Sequence, residues 1–191
     1  PQAGETILDL CAAPGGKTTL MAEKMRNKGK IVALDKDLNK LKLIQENCQR
    51  LGVEIVEIKL GDGTNFVCEP VDKILVDAPC SALGVLERNA EARWLKQEKD
   101  LKRLSQLQLA LLNNAKKLVK KEGTIVYSTC TLAKEENEML MEKFLTENQK
   151  FVLIDASSYL NKRLTENNFV KTYPFLHNMD GSFAAGLKKV N

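Results

Sequence analysis

The chain has 191 residues, 43% hydrophobic and 28% charged, enough for one domain with a sizeable core. No run of about 18 apolar residues occurs, which argues against a membrane span, and the opening PQAGETILDL lacks the basic start and apolar core of a signal peptide. The formal net charge of +4, from 29 Lys+Arg against 25 Asp+Glu, permits a nucleic-acid partner without demonstrating one.

Strands and helices alternate along the chain. ETILDLC (5–11) is a short apolar run, and GKTTLMAEKM (16–25) reads as a helix. KIVALD (30–35) is a second buried strand. LNKLKLIQENCQRLG (38–52) places Leu41, Ile44, Cys48 and Leu51 on one helical face, with Gly52 as the expected C-terminal cap. VEIVEIKLGD (53–62) and KILVDAPC (73–80) are the third and fourth strands. The stretch 95–123 predicts one long amphipathic helix, with an apolar stripe of Leu104, Leu107, Leu111, Ala115 and Leu118 and with Gly123 closing it. TIVYSTC (124–130) is a fifth strand, 133–148 a helix with acids in its first turns, and FVLID (151–155) and SFAAGLKK (182–189) two last strands. Residues 156–181 read as the least regular segment. Such alternation predicts an α/β fold: a Rossmann-like, mostly parallel, seven-stranded sheet with helices on both faces.

Five cysteines, Cys11, Cys48, Cys68, Cys80 and Cys130, occur in odd number and without a CxxC pair. This argues against a disulfide framework or a metal site and for a reducing, cytoplasmic setting. The single histidine, His177, is expected to be a plain loop residue. Proton transfers then fall to carboxylates, thiols or water.

Ligands of open parallel sheets bind beyond the carboxyl ends of the strands. Those ends carry CAAPGGKT (11–18), Asp35, GDGT (61–64), Asp77 to Cys80, and Cys130. The first of these is a glycine-bearing turn opening a helix, suited to close backbone approach of a ligand. A phosphate-binding P-loop would need Gly at position 11, where Cys11 stands. Asp35 is placed to accept from ribose hydroxyls, since Asp37 is the better cap for the helix that follows. Asp62 suits an adenine amino group or a plain turn. Together these describe an adenosine-ligand site, and without G-x-G-x-x-G a methyltransferase using S-adenosylmethionine fits better than a dehydrogenase.

CAAPGGKT, VALDKD, GDGT, VDAPCSALG, YSTCTLAKEENE and HNMDGSFAAGLKK occur in the order found in RNA cytosine-C5 methyltransferases of the Nol/Nop/Sun type, and the chain resembles that family over nearly its whole length. The resemblance implies an enzyme that methylates carbon 5 of cytosine in tRNA or rRNA. It implies that Cys11, Ala12, Ala13, Pro14, Gly15, Gly16, Lys17, Asp35, Asp62 and Asp77 hold S-adenosylmethionine and that Cys130 is the nucleophile. It further implies that residues 1–191 are a single catalytic domain, the C-terminal part of a longer protein whose RNA-binding extension lies outside this chain. The expected partner is RNA, with neither membrane nor metal, and the expected state is a monomer. The chain departs from the family pattern at Ala82-Leu83-Gly84, where Gly-x-Gly is usual, at Glu87, where a basic residue is, and at Ala90-Glu91, where Pro-Asp is.

Carbon 5 of cytosine is a poor nucleophile until a thiolate adds to carbon 6, which is nucleophilic catalysis. Asp77 is expected to bind the N3 and N4 edge of the base. Cys130, ahead of a helix N-terminus near Lys134, is expected to ionise and attack. Cys80, beside the Asp77 carboxylate, is expected to stay protonated and assist product release. Cys48 is expected to be core and Cys68 an inert loop residue. Lys162, Arg163, Lys171, Lys188 and Lys189 read equally as an RNA-facing patch and as a solvated surface. The competing readings are a DNA cytosine-C5 methyltransferase that attacks with Cys80, and a non-catalytic RNA-binding relic of the fold.

Overall fold

The structure, a computed structural model, describes residues 1–190, with side chains for all of these but Ala92. Nine strands form one mixed sheet. These are β1 (Thr6–Asp9), β2 (Lys30–Asp35), β3 (Val56–Leu60), β4 (Val71–Asp77), β5 (Val119–Thr129), β6 (Phe151–Ile154), β7 (Thr165–Glu166), β8 (Phe169–Thr172) and β9 (Ser182–Lys189). The order is β3-β2-β1-β4-β5-β9-β8-β7, with β6 also on β9. The first five strands run parallel, and β9 joins β5 antiparallel. The expected seven strands are thus corrected to nine. The additional β7 and β8 lie in the segment that looked irregular, and two- and four-residue strands carry too little alternation to be seen in sequence.

The helices are α1 (Gly16–Lys24), α2 (Leu38–Arg50), α3 (Ala92–Leu95), α4 (Glu98–Leu118), α5 (Glu138–Glu147) and α6 (Pro174–His177). Strand alternation sends Leu8, Leu34, Ile74 and Val76 into a large core with Leu111, Leu112 and Ala115 of α4 and Phe144 of α5. The opposite face gives Ile7, Ile31 and Ala33 to smaller cores under α1 and α2. On α2, Leu41, Ile44 and Cys48 are buried as expected, whereas Leu51 is 52% exposed because the helix has ended before it. Gly52 follows with φ +63°.

Two helix boundaries differ from the sequence reading. The long helix begins at Glu98, where Gln97 and Asp100 form a reciprocal capping box, and it stops at Leu118. Gly123 does not close it. Residues 120–123 bulge out between the Val71–Val119 and Lys73–Thr124 pairings, and the end of α4 is capped from β9, where Lys189 Nζ donates to the carbonyls of Lys116 in its last turn at 3.0 Å and of Val119 just past it at 2.8 Å. The expected helix 133–148 splits into a 3-10 turn, Lys134–Glu136, and α5, with a break at Asn137 (φ −118°, ψ −102°). None of the described helices is long and apolar enough to cross a membrane.

Candidate active site

The carboxyl ends of β1 to β5 come together along one edge of the sheet, with Asp9 opposite Ala33 and Leu75, Asp35 opposite Leu60, and Asp77 opposite Ser128. The loop after β1 is pinned from several sides. Ala12 N–H donates to the Leu34 carbonyl at 2.9 Å, Ala13 N–H to Asp35 Oδ2 at 3.2 Å, and Asn47 Nδ2 to the Pro14 carbonyl at 3.0 Å. Gly15 turns with φ +101°, and a Cβ there would meet Ile44 Cα at 3.1 Å, so only glycine lets α1 start against α2. Cys11 is mostly buried, and that burial pushes its thiol up to about 12. Its backbone, not its sulfur, is what the loop presents.

A cleft of about 300 Å³ opens above these ends, walled by Cys11, Asp35, Asp62, Pro79, Leu107 and Leu111. Asp37 caps α2 by accepting from Asn39 N–H at 2.9 Å, as expected. Asp35 is nevertheless not idle, since its Oδ1 accepts from Asp37 N–H at 3.0 Å. Asp62 closes its own turn by taking Thr64 N–H and Oγ1, each at 2.8 Å, on Oδ1, and these bonds hold its carboxyl below the usual range.

Asp77 sits between two donors. Lys17 Nζ lies 2.5 Å from Oδ2 and Ser128 Oγ lies 2.7 Å from Oδ1. Behind it, Asp9 is 1% exposed. Its Oδ2 accepts from Thr18 Oγ1 at 2.7 Å, but Oδ1 has no hydrogen-bond partner among the described residues. Burial pushes the Asp9 carboxyl up to about 7. The sequence reading passed over Asp9, although an acid inside ILDL is a signal in itself: a charge in a strand expected to be buried needs a partner or a function.

Cys80, in the loop after β4, and Cys130, just past β5, bring their sulfurs to 3.2 Å. Either sulfur can donate in this contact, and Cys130 N–H also donates to Cys80 Sγ at 3.3 Å; with Cys80 as the S–H donor, the Cys130 thiol is drawn down. The Cys80 thiol is pushed well up for the complementary reason and by burial. The element that begins at Lys134 is a 3-10 turn, not the expected α-helix, and the Asp77 carboxylate raises the Cys130 thiol.

Other candidates take structural places. His177 ends the short α6, accepts from Tyr173 N–H at 2.9 Å on Nδ1 and lies 2.8 Å from the Arg163 carbonyl through Nε2, which braces the loop instead of leaving it plain. Lys171 is 8% exposed and paired with Glu138 and Glu166. Lys189 caps α4, and Lys188 Nζ donates to the Glu122 carbonyl. Three of the five C-terminal cations are therefore committed within the fold. Cys48 is core and Cys68 half-buried. No group of three or more metal-ligating side chains occurs among the described residues.

A family model described as 16S rRNA methyltransferase RsmB/F matches residues 1–188. A ribosomal RNA small subunit methyltransferase B from Enterobacter sp. (strain 638) is 39% identical over 193 residues, covering 99% of this chain and 43% of the relative. A tRNA (cytosine(72)-C(5))-methyltransferase from Pyrococcus horikoshii is 38% identical over 193 residues, covering all of this chain and 48% of the relative. The crystal structure of NSun6 from Pyrococcus horikoshii with SFG superposes with a TM-score of 0.88 at 37% identity, over all of this chain and 49% of that one. The chain thus spans less than half the length of these relatives.

Proposed function

The chain belongs to the 16S rRNA methyltransferase RsmB/F family, and on that premise we propose that residues 1–191 are the catalytic domain of an enzyme that methylates carbon 5 of a cytosine in RNA, using S-adenosylmethionine. The observation that carries the reading is the pair of thiols in contact at the ends of adjacent strands, one drawn towards thiolate by the other. That is what addition to carbon 6, followed by proton-assisted release, requires.

The fit of the cofactor rests on the cleft, whose wall sets the carboxylates Asp35 and Asp62 beside the apolar Leu107 and Leu111. The loop from Cys11 through Ala12, Ala13, Pro14, Gly15 and Gly16 to Lys17, with Asp35, Asp62 and Asp77, would hold it. S-adenosylmethionine supplies the methyl group. Lys17 and Ser128 fix the Asp77 carboxylate where it can accept from the base. Cys130 attacks carbon 6 as thiolate; once carbon 5 has taken the methyl group, its proton passes to water and the C6–S bond breaks, and Cys80, which keeps its own proton, stabilises the departing Cys130 thiolate through its S–H. A flipped-out base reaches such a site more readily from single-stranded RNA than from a duplex. Small-subunit rRNA is the proposed substrate by likeness to the rRNA-methylating relatives, and tRNA is the other class that a relative is named for.

Incubation with small-subunit rRNA, tRNA and DNA tests the reading. Cys130→Ala is expected to abolish methyl transfer and form no covalent species. Cys80→Ala is expected to leave a protein–RNA adduct that survives denaturing electrophoresis. An adduct that builds up in Cys130→Ala and is absent in Cys80→Ala reverses the roles and favours the DNA-type mechanism.

A further inference from the structure

Two adjacent side chains hold the residues on either side of each thiol. Glu136 is fully buried. Its carboxylate accepts from Ser81 N–H at 3.0 Å, from Ser81 Oγ, and from Gln108 Nε2 at 2.7 Å. The same Gln108 amide reaches the Pro79 carbonyl at 2.9 Å, so both neighbours of Cys80 are tied to Glu136. Asn137, 3% exposed, accepts from Thr129 Oγ1 at 2.7 Å and donates to the Thr131 carbonyl at 2.9 Å, so both neighbours of Cys130 are tied to Asn137. Ser81 Oγ and Thr131 Oγ1, 2.7 Å apart, join the two loops. The Glu136 carbonyl is itself anchored by Tyr127 O–H at 2.7 Å.

Glu136 has no Lys, Arg or His ion-pair partner among the described residues. A carboxyl group buried without a cation is costly for folding, yet its hydrogen bonds hold the two residues flanking Cys80, Ser81 directly and Pro79 through Gln108. We propose that Glu136 and Asn137 form a clamp of positioning residues that sets the contact between Cys80 and Cys130 and thereby keeps Cys130 reactive. The proposal rests on the reading of Cys130 as nucleophile, and it concerns residues that touch neither substrate nor cofactor in that reading.

The groups that face Cys130 are Cys80 from the loop after β4, Asp77 from β4 and Lys17 from α1. This gives the test a sign. If Glu136 acted on Cys130 only through charge, its removal would favour the thiolate and lower the thiol's titration midpoint. If it acts through the clamp, its removal loosens the Cys80 donor and raises that midpoint.

The experiment is alkylation of Cys130 by iodoacetamide as a function of pH, followed by mass spectrometry of the Cys130 peptide, on the chain without RNA or cofactor. Glu136→Gln is expected to move the midpoint up by about one unit, towards an ordinary thiol, and to slow alkylation at pH 7 about fivefold. Ser81→Ala and Asn137→Ala are expected to move it in the same direction by less. Cys80→Ala alone is expected to give the full rise, and Glu136→Gln added to it no more. An unchanged or lowered midpoint in Glu136→Gln, or a second full rise on top of Cys80→Ala, overturns the clamp. Should Glu136→Gln not fold, Ser81→Ala decides by the same rule, because it keeps the backbone bond to Glu136. The expected shifts in a chain whose full-length protein transfers no methyl group would sink the functional reading and leave the clamp standing.

Discussion

At the scale of single residues, Ala82 is the departure from the family pattern with the clearest physical consequence. Where glycine is usual, Ala82 holds φ +60°, a region that costs an L-residue roughly 1–2 kcal/mol. Ala82→Gly relieves that strain but loosens the unfolded chain, so a net gain of about 0.5–1 kcal/mol in denaturant unfolding is expected. Asp9 makes a second prediction. Its folded value of about 7 lies above the ordinary 3.8, so between these limits the folded chain binds a proton that the unfolded chain does not. Its contribution to stability therefore falls as pH rises from about 4 to about 7. Asp9→Asn, which mimics the protonated acid, is expected to remove that fall. Unfolding of both proteins at the two ends of the window should show a difference of a few kcal/mol that grows with pH, and a difference independent of pH would refute the assignment.

At the scale of elements, α4 does more than cover the sheet. Its stripe buries Leu104, Leu111, Ala115 and Leu118 as the spacing predicts, with Leu107 half-buried at the cleft. The same helix also sends two amides inward. Gln108 joins the network around the thiols, and Asn114 Nδ2 donates to the carbonyls of Gly63 at 3.0 Å and Phe66 at 2.9 Å. Asn114 thus holds the turn that carries Asp62. Asn114→Ala strands two carbonyls and is expected to cost about 1–3 kcal/mol in stability. It should also weaken S-adenosylmethionine in calorimetry, by freeing the Asp62 turn. An unchanged affinity would show that the turn holds itself through Thr64. The break between the 3-10 turn and α5 has a similar logic. Asn137 leaves helical geometry where its side chain serves Thr129 and Thr131, and helix propensity yields to a buried network.

At the scale of the whole molecule, strand ends far apart in sequence make one cleft, so ligand binding and global stability are linked. S-adenosylmethionine at about 100 times its dissociation constant is expected to add about 2.7 kcal/mol, which for a domain of this size raises Tm by roughly 5–10 °C. Asp35→Ala should cut that shift at the same concentration, because the charge-assisted bonds proposed between Asp35 and the ribose are worth roughly 1.5–3 kcal/mol. Differential scanning calorimetry of both proteins, with and without the cofactor, checks this, and equal shifts would remove Asp35 from the site.

The amino-acid sequence by itself determined the alternation of elements, the parallel half of the sheet, the glycine turn after β1 and the acids at the strand ends. These are local: apolar periodicity, glycine and proline punctuation, and the rule that parallel strands present their carboxyl ends to ligands act over a few residues at a time. It also placed Cys80 and Cys130 at the carboxyl ends of two strands. Only the tertiary structure decided that their sulfurs touch. It alone tied Lys171, Lys188 and Lys189, which read equally as an RNA-facing patch and as a solvated surface, to partners within the fold, and assigned Glu136, Asn137, Gln108 and Asn114 their partners, from 6 to 55 residues away. A buried polar side chain has no period and no motif of its own. Its partner is set by where the chain returns, and that return is fixed only when the sheet closes.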